Sequence, residues 1–178
     1  MAGFVEGREE ISQFVRASSE VVNRKIIDSL SPASIDIMRA AIEESERKNH
    51  DYVGPAHMLL ALIRNRETGQ ILSDLGVSKL KVVSAIDFIL GRGDRPPAES
   101  PQLSPDGFGA LLAAYGKTRT SYFNQPVLIG PKDLLYGIVL EGTSVGAGVL
   151  ESLGVTPVRL YRHLYPSEFT TESQEGQL

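Results

Sequence analysis

A ten-residue phrase occurs twice in this chain, and this repeat limits the possible folds more than any other feature. The first copy is VGPAHMLLAL at residues 53–62, and the second is IGPKDLLYGI at residues 129–138. In each copy a Gly-Pro pair precedes a run that is apolar nearly all round, which predicts a short helix beginning at the proline. A helix without a polar face has to be buried. The fold must therefore cover two such helices.

The sequence around the phrase repeats in the same order. Leu-Ser-Pro stands at 30–32 and again at 103–105, where the serine is a typical helix N-cap and proline fits the first turn. Each half then ends with a Leu-Gly-Val stop, at 75–77 and 153–155. One half alone could hardly cover its own apolar helix, whereas two halves packed together bury both.

These patterns predict an all-α fold: two four-helix repeats related by pseudo-twofold symmetry, with an extra helix at the N-terminus. The extra helix is amphipathic, because Ile11, Phe14, Val15, Ser18, Val22 and Ile26 fall on one helical stripe. It either packs on the bundle or serves as a docking arm for a partner. The predicted segments are the N-terminal extension at 1–30, the first repeat at 31–90, a Gly- and Pro-rich linker at 91–104, the second repeat at 105–166 and a flexible polar tail at 167–178.

Composition excludes several classes of function. The 178 residues include no cysteine, so disulfides, thiolate metal sites and a cysteine nucleophile are ruled out. A net charge of -4 argues against nucleic-acid binding, which favours a basic surface. No apolar run is long enough to cross a membrane, and the first residues do not have the apolar core of a signal peptide. We therefore expect a cytoplasmic protein that binds neither nucleic acid nor membrane.

No catalytic or cofactor motif is complete. Gly116-Lys117-Thr118 resembles the end of a Walker A loop, but Leu111 stands where the first glycine is required. No Gly-x-Ser-x-Gly elbow is present. The neighbouring carboxylates Glu43 and Glu44 are expected on an exposed helix face. The sequence thus predicts no enzymatic activity, no catalytic residue and no cofactor.

The histidines do not form a metal motif. His50 and His57 are seven residues apart with no third ligand nearby, and His163 lies far along the chain. Because His57 stands near a helix start beside the core, we expect a hydrogen-bonded structural histidine and no metal site.

The repeated phrases resemble the repeated N-terminal domain of the Clp AAA+ unfoldases of the ClpA and ClpC type. The resemblance covers roughly residues 30–165 and includes both copies in the right order. It implies a bundle of eight helices that docks adaptors and substrates for a protease-associated unfoldase, here freestanding and without the ATPase module. The matching stretches are NHDYVGPAHMLLALI at 49–63, LIGPKDLLYGIV at 128–139, LEGTSVGAGVLESLGV at 140–155 and the Leu-Ser-Pro helix openings.

One dipeptide departs from the family pattern. In the family the residue after Gly-Thr is commonly glutamate, followed by histidine, and in some members that acid grips the guanidinium of phosphorylated arginine. Here Ala56 and Lys132 stand at those positions, so the resemblance implies that phosphoarginine recognition is lost. Either Lys132 extends into solvent and pairs with a neighbouring acid, or the site is retuned toward an anionic group of a partner. Asp133 beside it suits the first turn of a helix.

The resemblance therefore implies a non-catalytic protein-binding module of the Clp protease system, acting as an accessory, adaptor or decoy. The alternative is the substrate- or adaptor-binding N-domain of a full-length unfoldase whose ATPase lies beyond residue 178. The implied partners are a Clp unfoldase, peptidase, adaptor or client, and small cyclic peptides that target Clp N-domains. The predicted partner-binding residues are Ala56, His57, Lys132, Asp133, Ser31 and Ser104.

Overall fold

The computed structural model describes residues 7–8, 11, 20–121 and 127–168. Within these residues the chain is almost entirely helical, with two strands of two residues each. The helices are α1 Glu20–Asp28, α2 Pro32–Arg47, α3 Pro55–Arg64, α4 Arg66–Asp74, α5 Lys79–Leu90, α6 Pro105–Ser121, α7 Pro131–Glu141, α8 Val145–Ser152 and α9 Pro157–Leu164, and the strands are β1 Tyr52–Val53 and β2 Gln102–Leu103. The predicted all-α fold is confirmed, with α2–α5 forming one repeat and α6–α9 the other.

The helices begin where the sequence places capping residues. The Ser31 hydroxyl accepts the N–H of Ser34 at 3.1 Å, and the Ser104 hydroxyl accepts the N–H of Gly107 at 3.1 Å. Each bond satisfies a backbone donor in the first turn, which has no partner inside the helix. After α4, Gly76 has φ +78°, a left-handed conformation that favours glycine and turns the chain away from the helix axis.

The two repeats are joined by an exchange of extended backbone. β1 pairs in parallel with β2, and the N–H of Ser104 donates to the carbonyl of Val53 at 2.9 Å. On the other side, the N–H of Ser31 donates to the carbonyl of Ile129 at 3.0 Å. In both cases the segment before the central helix of one repeat pairs with the segment before the first helix of the other. These bonds fix the two repeats as one body.

The two apolar helices of the repeated phrase form the centre of the protein. Leu59 of α3 and Leu135 of α7 are fully buried. The neighbouring helices α2 and α6 pack against α3 and α7 respectively, and α3 also contacts α7 and α8 directly. These contacts confirm the expectation that each repeat helps to bury the apolar helix of the other. Burial of apolar side chains is the main favourable term in folding, so this packing stabilises both repeats.

The described part of the N-terminal extension packs against both repeats, because Gly7 lies beside Ile35 and Arg39 of α2 and α1 contacts α6. The Arg8 guanidinium donates to the carbonyls of Ile27 and Leu30 at 3.0 and 2.9 Å, and so closes the C-terminal end of α1. Ile11 and Ile26 of the predicted stripe are fully buried. Phe14, Val15 and Ser18, and the side chain of Val22, lie outside the described residues.

Two details differ from expectation. Glu44 is not on an exposed face: only 4% of the residue is accessible, and its carboxylate pairs with Arg64 of α3 and with Arg47 at 3.1 Å. The prediction of exposure was wrong because the last turns of α2 pack against α3, where Arg64 compensates the buried charge. The predicted linker also carries structure, since Gln102 and Leu103 form β2.

Candidate partner-binding site

The start of each central helix is closed by a side chain three residues after the N-cap glycine. In α3 the N–H of Gly54 donates to Nδ1 of His57 at 3.1 Å, and in α7 the N–H of Gly130 donates to Oδ2 of Asp133 at 2.8 Å. A glycine N-cap has no side chain of its own, so this return bond is the part of a capping box that remains. The change from histidine to aspartate between the copies thus preserves one function, which is to accept a backbone N–H.

His57 is fully buried and hydrogen-bonded on both ring nitrogens. Because Nδ1 accepts the N–H of Gly54, the neutral ring carries its proton on Nε2, which lies 2.9 Å from Nδ1 of His50 and donates to it. Burial, together with smaller effects of His50 and Lys48, lowers the pKa of His57 to about 4. The ring of His50 stacks on Tyr52 with centroids 5.4 Å apart. This arrangement is a neutral structural cluster.

The corresponding site in the second repeat is built on Asp133 and Tyr165. The hydroxyl of Tyr165 donates to Oδ1 of Asp133 at 2.7 Å, so both carboxylate oxygens accept hydrogen bonds. Burial and the nearby Asp133 carboxylate raise the pKa of the Tyr165 hydroxyl, which keeps it protonated as a donor. A cavity of about 230 Å³ opens beside this pair and is lined partly by Lys132 and Lys117.

Lys132 does not extend into solvent to pair with an acid, and a site retuned toward an anionic group of a partner stays a prediction. The ammonium nitrogen of Lys132 lies 5.2 Å from the centroid of the Tyr165 ring, a cation–π distance. Among the residues that the structure describes, it has no carboxylate within ion-pair distance. The cation of Lys132 is therefore stabilised by an aromatic face.

Three tyrosines around this site were not anticipated from the sequence. Tyr136, Tyr161 and Tyr165 contact one another with ring centroids 5.2 to 5.8 Å apart, and the Lys117 ammonium lies 4.0 Å from the centroid of Tyr165. Glu168 accepts hydrogen bonds from Lys117 and from the hydroxyl of Tyr161. The available signal was the spacing of Tyr161 and Tyr165, since residues four apart share one face of a helix.

The six predicted partner-binding residues fall into two groups. Ser104 lies beside Gly54 at the start of α3, near Ala56 and His57, and Ser31 pairs with the segment that leads into Lys132 and Asp133. Ala56, His57 and Asp133 are buried, with exposures of 4%, 0% and 6%. Both serine hydroxyls are engaged in cap bonds, and Lys132 is half-buried. Partner contact by these six residues stays a prediction.

The described residues contain neither a metal-binding cluster nor a single membrane-spanning helix. Within residues 7–8, 11, 20–121 and 127–168, no group of three or more His, Cys, Asp or Glu residues could hold a metal ion. In that same part of the chain no single helix is long and apolar enough to cross a membrane, and α7 and α8 reach the required length only together, across a 91° bend.

Comparison with known proteins places the chain in a family. The Clp repeat (R) N-terminal domain family matches residues 29–150, which is most of the chain and includes both central helices. The chain belongs to this Clp N-domain family. This family assignment agrees with the two copies of the capped central helix, because the family is defined by a repeat.

Relatives of this Clp N-domain are much longer proteins. The chloroplastic chaperone protein ClpC2 of Oryza sativa subsp. japonica is 31% identical over 139 residues, which is 76% of this chain and 15% of the relative. ClpC1 of the same plant is 30% identical over 151 residues, 83% of this chain and 16% of that protein. The chain thus spans about a sixth of the length of these relatives.

Solved structures agree on the fold. The Hsp104 N-terminal domain from Candida albicans superposes with a TM-score of 0.63 at 14% identity, covering 77% of this chain and 89% of that one. A structure from preliminary structural investigations of a malarial protein secretion system gives a TM-score of 0.66 at 18% identity, covering 78% and 94%. At such low identity the likeness concerns the fold alone.

Proposed function

We propose that this Clp N-domain is a non-catalytic docking module of the Clp protease system, which acts as an accessory, adaptor or decoy. Its partners are a Clp unfoldase or peptidase, an adaptor, a client protein, or a cyclic peptide that targets Clp N-domains. It works in the cytoplasm and requires no cofactor. Binding to it changes how adaptors or clients reach the protease.

The observation that carries this proposal is a set of large apolar side chains on α5 that none of the described residues covers. Phe88 is 90% exposed, Leu80 74% and Ile89 54%, although all three belong to a helix whose other face is buried in the core. Phe88 and Ile89 are neighbours at the C-terminal end of α5, and large apolar side chains exposed in this way are typical of a surface that meets a partner. The closed helix starts at His57 and Asp133 also support a structural role for those residues over a chemical one.

A second candidate is the substrate- or adaptor-binding N-domain of a full-length Clp unfoldase. The length of the relatives favours it, because the chain matches only 15% of ClpC2. In this case the docking surface would be the same, but an ATPase would follow it in one polypeptide. The sequence of the gene beyond Leu178 decides between the two candidates.

The proposal is tested in a reconstituted Clp protease from the same organism. The purified chain is titrated into the unfoldase, peptidase and adaptor while degradation of an adaptor-dependent client is followed. We expect a saturable change in degradation rate, slower for a decoy and faster for an adaptor. A chain that carries the substitutions L80S and F88S serves as the control and should have a weaker effect. No change in rate at any concentration of the intact chain would contradict the proposal.

A further inference from the structure

A second open surface lies on the first repeat, between the C-terminal ends of α2, α3 and α5. It encloses a cavity of about 560 Å³, called here the first-repeat pocket. Leu60 and Val83 supply its apolar part, and the buried carboxylate of Glu44 lies in its wall. Arg64 and Arg92 line it as well, so apolar and cationic groups converge on one space.

The internal repeat allows this pocket to be compared with the same place in the second repeat. The two repeats can be aligned at their helix starts and at their Leu-Gly-Val stops. This alignment gives the counterparts of the residues that line the pocket. The repeated sequence places Lys117 at the position of Glu44, Tyr136 at that of Leu60, Tyr161 at that of Val83 and Tyr165 at that of Asp87. The four counterparts are the tyrosine cluster with its lysine, described above.

In the second repeat the protein fills this space with its own side chains. The rings of Tyr136, Tyr161 and Tyr165 contact one another there, and Lys117 lies over two of them. In the first repeat leucine, valine and aspartate replace the three rings, and the space stays open. The first-repeat pocket therefore lies where the second repeat has its tyrosine cluster, but it lacks the aromatic side chains.

The charge around the first-repeat pocket indicates what can enter it. Four cations line it, Arg47, Lys48, Arg64 and Arg92, against the two acids Glu44 and Asp87. Glu44 is shared by Arg47 and Arg64, and Asp87 pairs with Lys48. The remaining surplus is positive in a chain whose net charge is -4.

The cationic groups at the rim are accessible to a partner. The side chains of Arg47 and Arg64 are 61% and 41% exposed despite their bond to Glu44. Arg92 is exposed and makes no ion pair with any residue that the structure describes. Planar guanidinium groups pair with carboxylates and also stack on aromatic rings.

We propose that the first-repeat pocket receives an aromatic side chain from an acidic segment of a partner protein. This inference rests on the proposed docking function and names the chemistry of one partner segment. The aromatic ring packs on Leu60 and Val83, in the space that tyrosines occupy in the second repeat. Carboxylates beside the ring in the partner sequence pair with Arg92 and with the outer faces of Arg47 and Arg64.

The test measures binding of a fluorescein-labelled peptide, a short run of aspartate and glutamate with one central tyrosine, to the full chain by anisotropy. Two peptide controls replace the tyrosine by alanine, or all acids by their amides. V83Y fills the pocket with the ring found in the second repeat, and V158Y adds the same ring at an exposed valine of α9. R92E reverses a rim charge, and R95E makes the same change three residues away, outside the pocket lining.

We expect saturable binding at low salt that weakens about tenfold or more with V83Y, with R92E and with either control peptide. V158Y and R95E should bind like the unmodified chain. The inference would be overturned if V83Y and R92E bound the peptide as tightly as the unmodified chain, or if the unmodified chain did not bind it. The degradation assay distinguishes the two proposals. If the V83Y chain still changes the degradation rate, the proposed role of this pocket is wrong but the docking function is not.

Discussion

His57 Nε2 lies 2.9 Å from His50 Nδ1 inside the protein, and the N–H of Gly54 occupies the other nitrogen of His57. A proton added to His57 Nδ1 would face the N–H of Gly54 and break the bond that closes α3. The cluster therefore requires a neutral His57.

Stability should fall in mild acid because of this histidine. The pKa of His57 is about 4 in the folded protein, below the ordinary value of 6.5, so the unfolded chain binds more protons between these pH values. The stabilisation is complete above pH 6.5 and is lost as pH falls toward 4, by at most about 1.4 kcal/mol per pH unit. Urea unfolding from pH 7 to pH 4 measures the slope, and H57N, whose amide oxygen can still accept from Gly54, should reduce it. An identical slope in H57N would assign the effect to other groups.

Gly137 should tolerate no side chain. A Cβ there would lie 2.3 Å from the carbonyl oxygen of Ala110 and 3.0 Å from the Cβ of Ala114, because α6 and α7 pack closely at this point. G137A should cost about 2 kcal/mol or more in free energy of unfolding. G148A is the matched control, since a Cβ there has no atom within 4 Å, and it should add about 0.5 to 1 kcal/mol through helix propensity. Thermal unfolding of both variants gives the comparison, and equal effects would refute the close packing.

Asp133 should contribute to stability through two hydrogen bonds. D133A removes the acceptor of the Gly130 N–H and of the Tyr165 hydroxyl, and we expect a loss of about 2 kcal/mol. Y165F removes only one of the two bonds to Asp133 and should cost about 1 kcal/mol. Chemical denaturation distinguishes the two, and a D133A variant as stable as the unmodified chain would mean that the cap bonds contribute nothing.

Phosphoarginine should not bind at the start of α7 in the manner implied by the family resemblance. Lys132 occupies the position of the family's acid, and its cation, held over the Tyr165 ring, repels a guanidinium. Calorimetry with free phosphoarginine should show no binding heat. Tight binding that is weakened by K132A would contradict this prediction.

The repeat itself made most of the fold predictable. The phrases at 53–62 and 129–138 predicted two buried central helices, and Leu59 and Leu135 are fully buried. The serines of the two Leu-Ser-Pro openings act as N-caps, as their residue type and position indicated. Local signals of this kind depend on residues three or four apart, which the sequence displays directly.

Other features depend on contacts between distant segments. Glu44 lies three residues after Ala41 on the buried face of α2, but the partner that compensates its charge, Arg64, is twenty residues later in the chain. The tyrosine cluster joins α7 to α9 and the residue after it, so Tyr136 and Tyr165 meet only once the helices pack. The pairing of Ser31 with Ile129 likewise spans the two repeats. Such contacts are set by tertiary packing and leave no short-range pattern.

The most direct test of the account is a calorimetric titration of the purified chain into the adaptor, the unfoldase and the peptidase of the host's Clp system. The N-domain of the host's own unfoldase is titrated in parallel as a positive control. We predict saturable binding to at least one of the three, weakened by L80S together with F88S. If the control binds and the chain gives no heat with any of the three proteins, the docking function is wrong.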